Sequence, residues 1–229
     1  MSGQSSARRV HIVGGPGSGK TTLAARLSRH LGVPVYDLDT VAYEAGAGAK
    51  RVLDARRLDA ERSAQAPGWI TEGIYLWWCE PLAERADRLI WLDVPWRVAV
   101  YRIARRHIVL SLAGTNRHPG VKKLARFAWG TRRYYLGDNR RSRAPVDDND
   151  DGAITRAATA AWLARYGNKV IRRRSVRDLS EITDFGIDES AAIAPGRANG
   201  GRPQNDHPDR SDSARNHRAV RRTASHRLP

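Results

Sequence analysis

Eight residues carry the most chemistry in this chain. Gly14-Gly15-Pro16-Gly17-Ser18-Gly19-Lys20-Thr21 fits the pattern G-x-x-x-x-G-K-[ST] at every fixed position. A triphosphate presents several negative charges at short range, so its site needs many donors close together. Glycines let the backbone wrap tightly and turn its N–H groups inward. A helix that starts immediately after the loop adds the positive end of its dipole. In this pattern the backbone of Gly14, Gly15, Pro16, Gly17, Ser18, Gly19, Lys20, Thr21 and Thr22 cradles the phosphates. The Lys20 ammonium reaches the β- and γ-phosphates, and the Thr21 hydroxyl is a ligand for Mg²⁺.

The flanking sequence supplies the elements that such a loop requires. Val10-His11-Ile12-Val13 reads as a buried strand. Leu23, Leu27 and Leu31 lie four apart on one helical face, Gly32 stops that helix, and Pro34 forbids its continuation. Further along, strands are expected at 33–38, 69–72, 88–94 and 169–172. Helices are expected at 52–66, 77–86, 96–110 and 153–165, with a short one at 176–183. Strands alternating with helices imply a parallel sheet covered on both faces, a three-layer α/β domain of five strands. Residues from about 111 to 150 break this rhythm. They hold Gly114, Pro119, Gly120, Gly130 and Gly137 and then the acidic run from Asp147 to Asp151, and they read as a loop-like excursion. Its basic residues suit a lid that closes over phosphates. The domain is expected over 8–185 with the lid at about 107–150, after a loose leader over 1–7 and before a disordered basic tail over 186–229.

Other side chains fall where chemistry is done. Glu72 ends a strand and precedes Gly73, and ligands of parallel sheets sit beyond the carboxyl ends of the strands, where a carboxylate can hold Mg²⁺. Gly73 would let a substrate approach the backbone closely. Asp37 and Asp39 close the second strand. Asp39 followed by Thr40 also suits a helix N-cap. Asp93 closes the fourth strand. Arg102 and Arg106 are four apart and share a helix face, and the planar guanidinium fork binds two phosphate oxygens at once.

The segments Gly14–Thr21, Tyr36-Asp37-Leu38-Asp39, Trp69-Ile70-Thr71-Glu72-Gly73-Ile74-Tyr75 and Ala86–Pro95 followed by spaced arginines together resemble the nucleoside-monophosphate kinase group of P-loop proteins. Within it they resemble the adenylate-kinase-related topology modulation proteins. The resemblance covers roughly residues 9–185. It implies strand order 2-3-1-4-5 and an ATP- and Mg²⁺-dependent phosphotransferase acting on a nucleotide, nucleoside or hydroxylated metabolite. It assigns Asp39 to the acceptor hydroxyl, Glu72 to the metal in place of the family's usual Asp, Arg102 and Arg106 to phosphate binding at the root of the lid, and Arg132 with Arg133 to lid arginines that return toward the phosphates. The same resemblance leaves Asp93 mainly to shaping the strand end. The topology-modulation label points to a second reading, an ATP-hydrolysing protein that acts on nucleic acid.

Composition narrows the context. The chain of 229 residues has net charge +16, which attracts polyanions, so weak nucleic-acid contact through the tail is expected. From Lys122 to Arg143 there are eight Lys or Arg against one Asp. The single cysteine, Cys79, rules out an internal disulfide and favours a reducing compartment, and it reads as a small packed residue. No run of apolar residues approaches the roughly 20 needed to cross a bilayer, and no secretory leader is seen. A cytoplasmic monomer or homodimer with no membrane partner is expected. No zinc motif is present, His11 reads as a packing or surface histidine, and Trp129, Tyr134 and Tyr135 are expected to pack beneath the lid.

Overall fold

Alternation of side chains along the strands divides the core in two. On one face of the sheet Val10, Ile12, Ile70, Ile90 and Leu92 pack with Leu23, Ala24 and Leu27 of the first helix. On the other, Val13, Trp69, Leu89 and Trp91 pack with side chains of four further helices. Because successive strand residues point to opposite faces, burial on both sides requires nearly continuous apolar runs, as in Arg88-Leu89-Ile90-Trp91-Leu92.

The structure is a computed structural model that describes residues 8–46, 48–116, 120–137 and 154–175. Strand β1 (Arg9–Gly14) leads through the glycine loop into α1 (Lys20–Leu31). Then come β2 (Val35–Asp37), α2 (Leu38–Ala42), a 3₁₀ turn at Glu44–Gly46, α3 (Leu53–Ala64), β3 (Trp69–Gly73), α4 (Glu80–Arg85), β4 (Arg88–Leu92), α5 (Trp96–Leu112), α6 (Val121–Leu136), α7 (Arg156–Leu163), a second 3₁₀ segment at Ala164–Lys169 and β5 (Val170–Arg173). All five strands are parallel and lie in the order β2-β3-β1-β4-β5. The expected three-layer α/β architecture and the implied strand order are therefore both present.

Local signals explain the element ends. Gly32 sits in the left-handed region at φ 63° and donates its N–H to Ser28, which ends α1 where the sequence placed the stop. The Asp37 side chain accepts from the Asp39 N–H at 2.9 Å and so caps α2, two residues earlier than the sequence suggests. Asp39 is consequently inside the helix and is not its cap.

Helix α6 is the largest departure from expectation. Residues 121–136 fall in the stretch that the sequence marks as a loop-like excursion, yet they form four helical turns. The glycines misled that reading: Gly120 and Gly137 flank the helix as its caps, and only Gly130 lies inside it. The helical signal lies in the spacing of Leu124, Ala128, Thr131, Tyr134 and Tyr135, which places them on one side. That side is turned inward, with Thr131, Tyr134 and Tyr135 buried. Trp129, expected beneath the lid with the tyrosines, is instead 68% exposed. The expected helix at 176–183, the leader, the tail and the acidic run at 147–151 lie outside the described residues.

Candidate active site

The glycine loop is held in shape by close contacts that leave no room for side chains. Gly17 and Gly19 have φ of 77° and 100°, values that an L side chain rarely adopts. A Cβ on Gly15 would stand 2.4 Å from the Tyr134 ring and 2.7 Å from the Tyr135 ring. On Gly17 it would meet the Ala99 carbonyl at 2.7 Å. The Tyr135 hydroxyl donates to the Pro16 carbonyl at 2.9 Å, and Arg102 donates to the Ser18 carbonyl at 2.6 Å. Helices α5 and α6 therefore brace the loop from outside, and its own Ser18 N–H closes a turn onto the Gly15 carbonyl. The Ser18 hydroxyl is fully buried and has no hydrogen-bond partner among the described residues.

Behind the loop, Lys20 at the start of α1 feels the charges of Glu72 on β3, Asp37 at the end of β2 and Asp39 on α2. Asp37 is the register neighbour of Glu72 across β2 and β3. The Thr21 hydroxyl, at the start of α1, donates to Glu72 Oε1 at 2.6 Å. With its hydrogen directed at Glu72, that oxygen keeps its lone pairs for another donor or a cation. The Lys20 ammonium donates to the Gly15 carbonyl at 3.3 Å. Burial lowers the Lys20 pKa from its ordinary value, opposed by the charges of Glu72, Asp39 and Asp37. Burial likewise raises that of Glu72, opposed by the Thr21 hydrogen bond and by Lys20 and aided by Asp37 and Asp39. Both ions of the site are thus underpaired. An added anion relieves Lys20, and an added cation relieves Glu72.

Each remaining sequence expectation has a definite place. Asp39 accepts from the Tyr75 hydroxyl at 2.9 Å, a partner that sequence spacing gave no hint of. Gly73 does permit a close backbone approach, but by the protein itself: a Cβ there would stand 2.9 Å from that of Leu38, so the substrate explanation for this glycine is not needed. Arg102 is on the loop, while Arg106, one turn further along α5, is exposed. Arg132 is exposed, with its guanidinium 5.1 Å from the Trp129 ring centre. The side chains that α6 brings to the loop are Tyr134 and Tyr135. Cys79 is buried just before α4, its thiol donating to the Tyr75 carbonyl, and burial pushes its pKa up, which fits a packed and unreactive thiol.

Asp93 is set apart from this cluster. Its carboxylate is gripped by two guanidiniums, Arg156 through Nε and Nη2 and Arg172 through Nε and Nη2, with the Arg156 Nη2 contact at 2.7 Å and the Arg172 Nε contact at 2.8 Å. Burial raises the Asp93 pKa, but the arginine hydrogen bonds and charges outweigh it and hold the group below the ordinary carboxylate range. Asp93 joins β4, α7 and β5, which makes it a structural charge at the strand end.

No known family model matches the sequence, and no curated protein sequence is similar to it. Among solved structures the chain is similar to a gluconokinase from Sinorhizobium meliloti 1021, at 15% identity over 79% of this chain and 90% of that one, with a TM-score of 0.45. It is also similar to shikimate kinases from Acinetobacter baumannii (12% identity, 77% and 90% covered, TM-score 0.44) and Bacteroides thetaiotaomicron (17% identity, 78% and 94% covered, TM-score 0.41). These likenesses are too loose to bear on the reaction. The strand order and the loop between β1 and α1 define the fold on their own.

Proposed function

We propose that the protein is a P-loop kinase that transfers the γ-phosphoryl group of ATP, with Mg²⁺, to a small hydroxylated acceptor such as a nucleotide, nucleoside or other metabolite. The observation that carries this reading is the Thr21–Glu72 hydrogen bond beside a half-buried Lys20. It joins the loop hydroxyl to a buried carboxylate at a strand end, and among the described residues no cationic side chain is hydrogen-bonded to that carboxylate. The donor set fits Mg²⁺, a hard cation that takes oxygen ligands and keeps several waters, so that one or two protein oxygens plus phosphates suffice. Among the described residues no cluster of three or more His, Cys, Asp or Glu side chains forms a metal cage. Thr21 and Glu72 would hold the ion, which when bound neutralises phosphate charge.

The protein's own groups supply the rest. The loop amides and Lys20 bind and orient the triphosphate. Arg102, already fixed to the loop, places its free guanidinium nitrogens beside the phosphates, and Arg106 adds a second contact one turn on. Asp39 accepts the proton of the acceptor hydroxyl, and Tyr75 holds that carboxylate in place. Little covalent chemistry is asked of the protein, because phosphoryl transfer is accelerated chiefly by alignment and charge stabilisation. The deciding experiment is a coupled ATP-consumption assay across nucleoside monophosphates, nucleosides and small sugars. Acceptor-dependent turnover that disappears in Lys20→Ala supports the proposal. ATP hydrolysis at the same rate with and without every acceptor refutes the kinase assignment.

A further inference from the structure

Helices α5 and α6 are consecutive in the chain and pack on one another. Their inner faces are accounted for by the glycine loop, but their outer faces are not. On α6, Val121, Ala125 and Trp129 recur at helical spacing on the exposed side, with Val121 77% exposed. Lys122, Arg126 and Arg133 form a second exposed stripe directly beside them. The end of α5 adds Ile108 and Leu112, the latter 84% exposed. Together the two helices carry nine Lys or Arg, of which Arg102 is turned to the loop, and no Asp or Glu.

An apolar stripe this exposed needs a partner that offers an apolar phase. The absence of any acidic residue says that the same partner is anionic. A second copy of this surface would set like charges against each other, which argues against self-association through it. Nucleic acid satisfies the charge, and it can stack on Trp129, but it offers no apolar phase for Val121, Ile108 and Leu112. A bilayer surface rich in anionic lipid satisfies both demands: basic side chains meet headgroups, while Trp and aliphatic side chains sink into the headgroup and acyl boundary. No helix among the described residues is long and apolar enough to cross a membrane. We infer that the outer face of the α5–α6 pair is a docking surface for anionic lipid bilayers.

The test is co-flotation of the full chain with vesicles of phosphatidylcholine alone, or of phosphatidylcholine and phosphatidylglycerol in equal parts. Partition into the anionic vesicles should be at least about tenfold stronger, and high salt should weaken it. Replacing Leu112, Val121 and Trp129 with Ser should cut that partition about tenfold, with a thermal melt reporting on folding. Lys122→Glu with Arg126→Glu, two exposed surface changes, should do the same and serves if the triple variant unfolds. Undiminished binding by the folded Ser variant would show charge attraction alone and overturn the inference. So would equal partition into the uncharged vesicles. Tight binding to a DNA duplex without flotation would reassign the face to nucleic acid, and sedimentation as a dimer without flotation would reassign it to a second copy.

Discussion

Glu72 and Asp93 occupy similar places and have opposite fates. Each lies at the carboxyl end of a strand paired with β1, one in β3 and the other just after β4, and each is almost fully buried, at 4% and 3% exposure. Burial pushes both carboxyls up. For Asp93 two arginines reverse the effect, so its charge is neutralised within the fold. For Glu72 the Thr21 hydroxyl and the charge of Lys20 do not, so its charge remains to be balanced from outside. The depth of burial is the same in both, and the partner decides whether a buried charge is used for structure or kept for chemistry.

The largest expected effect tests the chemical half of the comparison. Lys20→Ala should weaken Mg·ATP binding by about 100-fold or more, roughly 2.7 kcal/mol, with the circular dichroism spectrum unchanged. Titration calorimetry measures it, and unaltered affinity would remove the loop as the nucleotide site.

A third buried titratable group extends the series, because it has no charged partner among the described residues. His11 is fully buried on β1, hydrogen-bonded through Nδ1 to the Thr71 hydroxyl at 2.8 Å, and burial lowers its pKa to about 4. The unfolded chain binds the proton first, near pH 6.5, so the stability that the neutral ring contributes is complete above that value and is lost as pH falls toward 4. Between pH 7 and pH 5 the loss should be about 2 kcal/mol from this residue. Urea denaturation of the natural protein and of His11→Gln at both pH values isolates it. An equal drop in both proteins would mean that His11 does not titrate on unfolding.

The two carboxylates should then part company on substitution. Asp93→Asn leaves two guanidiniums facing a neutral amide and should cost about 1–3 kcal/mol, the partial exposure of both arginines keeping it below the value for a fully buried pair, with little change in the Mg²⁺ requirement. Glu72→Gln should do the reverse. Stability should hold or rise slightly, because a desolvated charge is removed, while the Mg²⁺ concentration for half-maximal activity rises about tenfold. If Asp93→Asn shifts the Mg²⁺ requirement and Glu72→Gln does not, the roles are exchanged.

How legible all this is in the sequence follows from the range of the interactions. The glycine loop, the α1 stop at Gly32 and the five strands rest on patterns within ten or so residues, and the amino-acid order shows them directly. Glu72 could be picked out because a strand end is also a local feature. The Asp93 clamp could not, since Arg156 and Arg172 lie 63 and 79 residues away. Helix α6 was hidden for a different reason: its bounding glycines resemble those of loops, and its inward stripe ends in tyrosines whose partner, Gly15, is more than a hundred residues earlier. That Arg102 is hydrogen-bonded to the loop while Arg106 and Arg132 are exposed emerges only once the packing is known.

The smallest effect sharpens the comparison most finely, because it concerns a carboxylate that takes a hydrogen bond from a neutral hydroxyl. Asp39 is exposed on α2 and takes a hydrogen bond from the Tyr75 hydroxyl at 2.9 Å. If Asp39 takes the acceptor's proton, that bond fixes the direction of its lone pairs without removing its charge. Tyr75→Phe keeps the packed ring, which stacks at 4.9 Å on Trp78, and deletes only the donor. Turnover should fall by about two- to fivefold, in keeping with one neutral hydrogen bond, while ATP affinity stays as it was. The pH profile decides between positioning and mere packing. Losing a donor to the charged form raises the carboxylate pKa, so the acid limb of kcat should move to higher pH in Tyr75→Phe. A reduced rate with an unshifted limb would leave Tyr75 as a packing residue and Asp39 without a catalytic proton to accept.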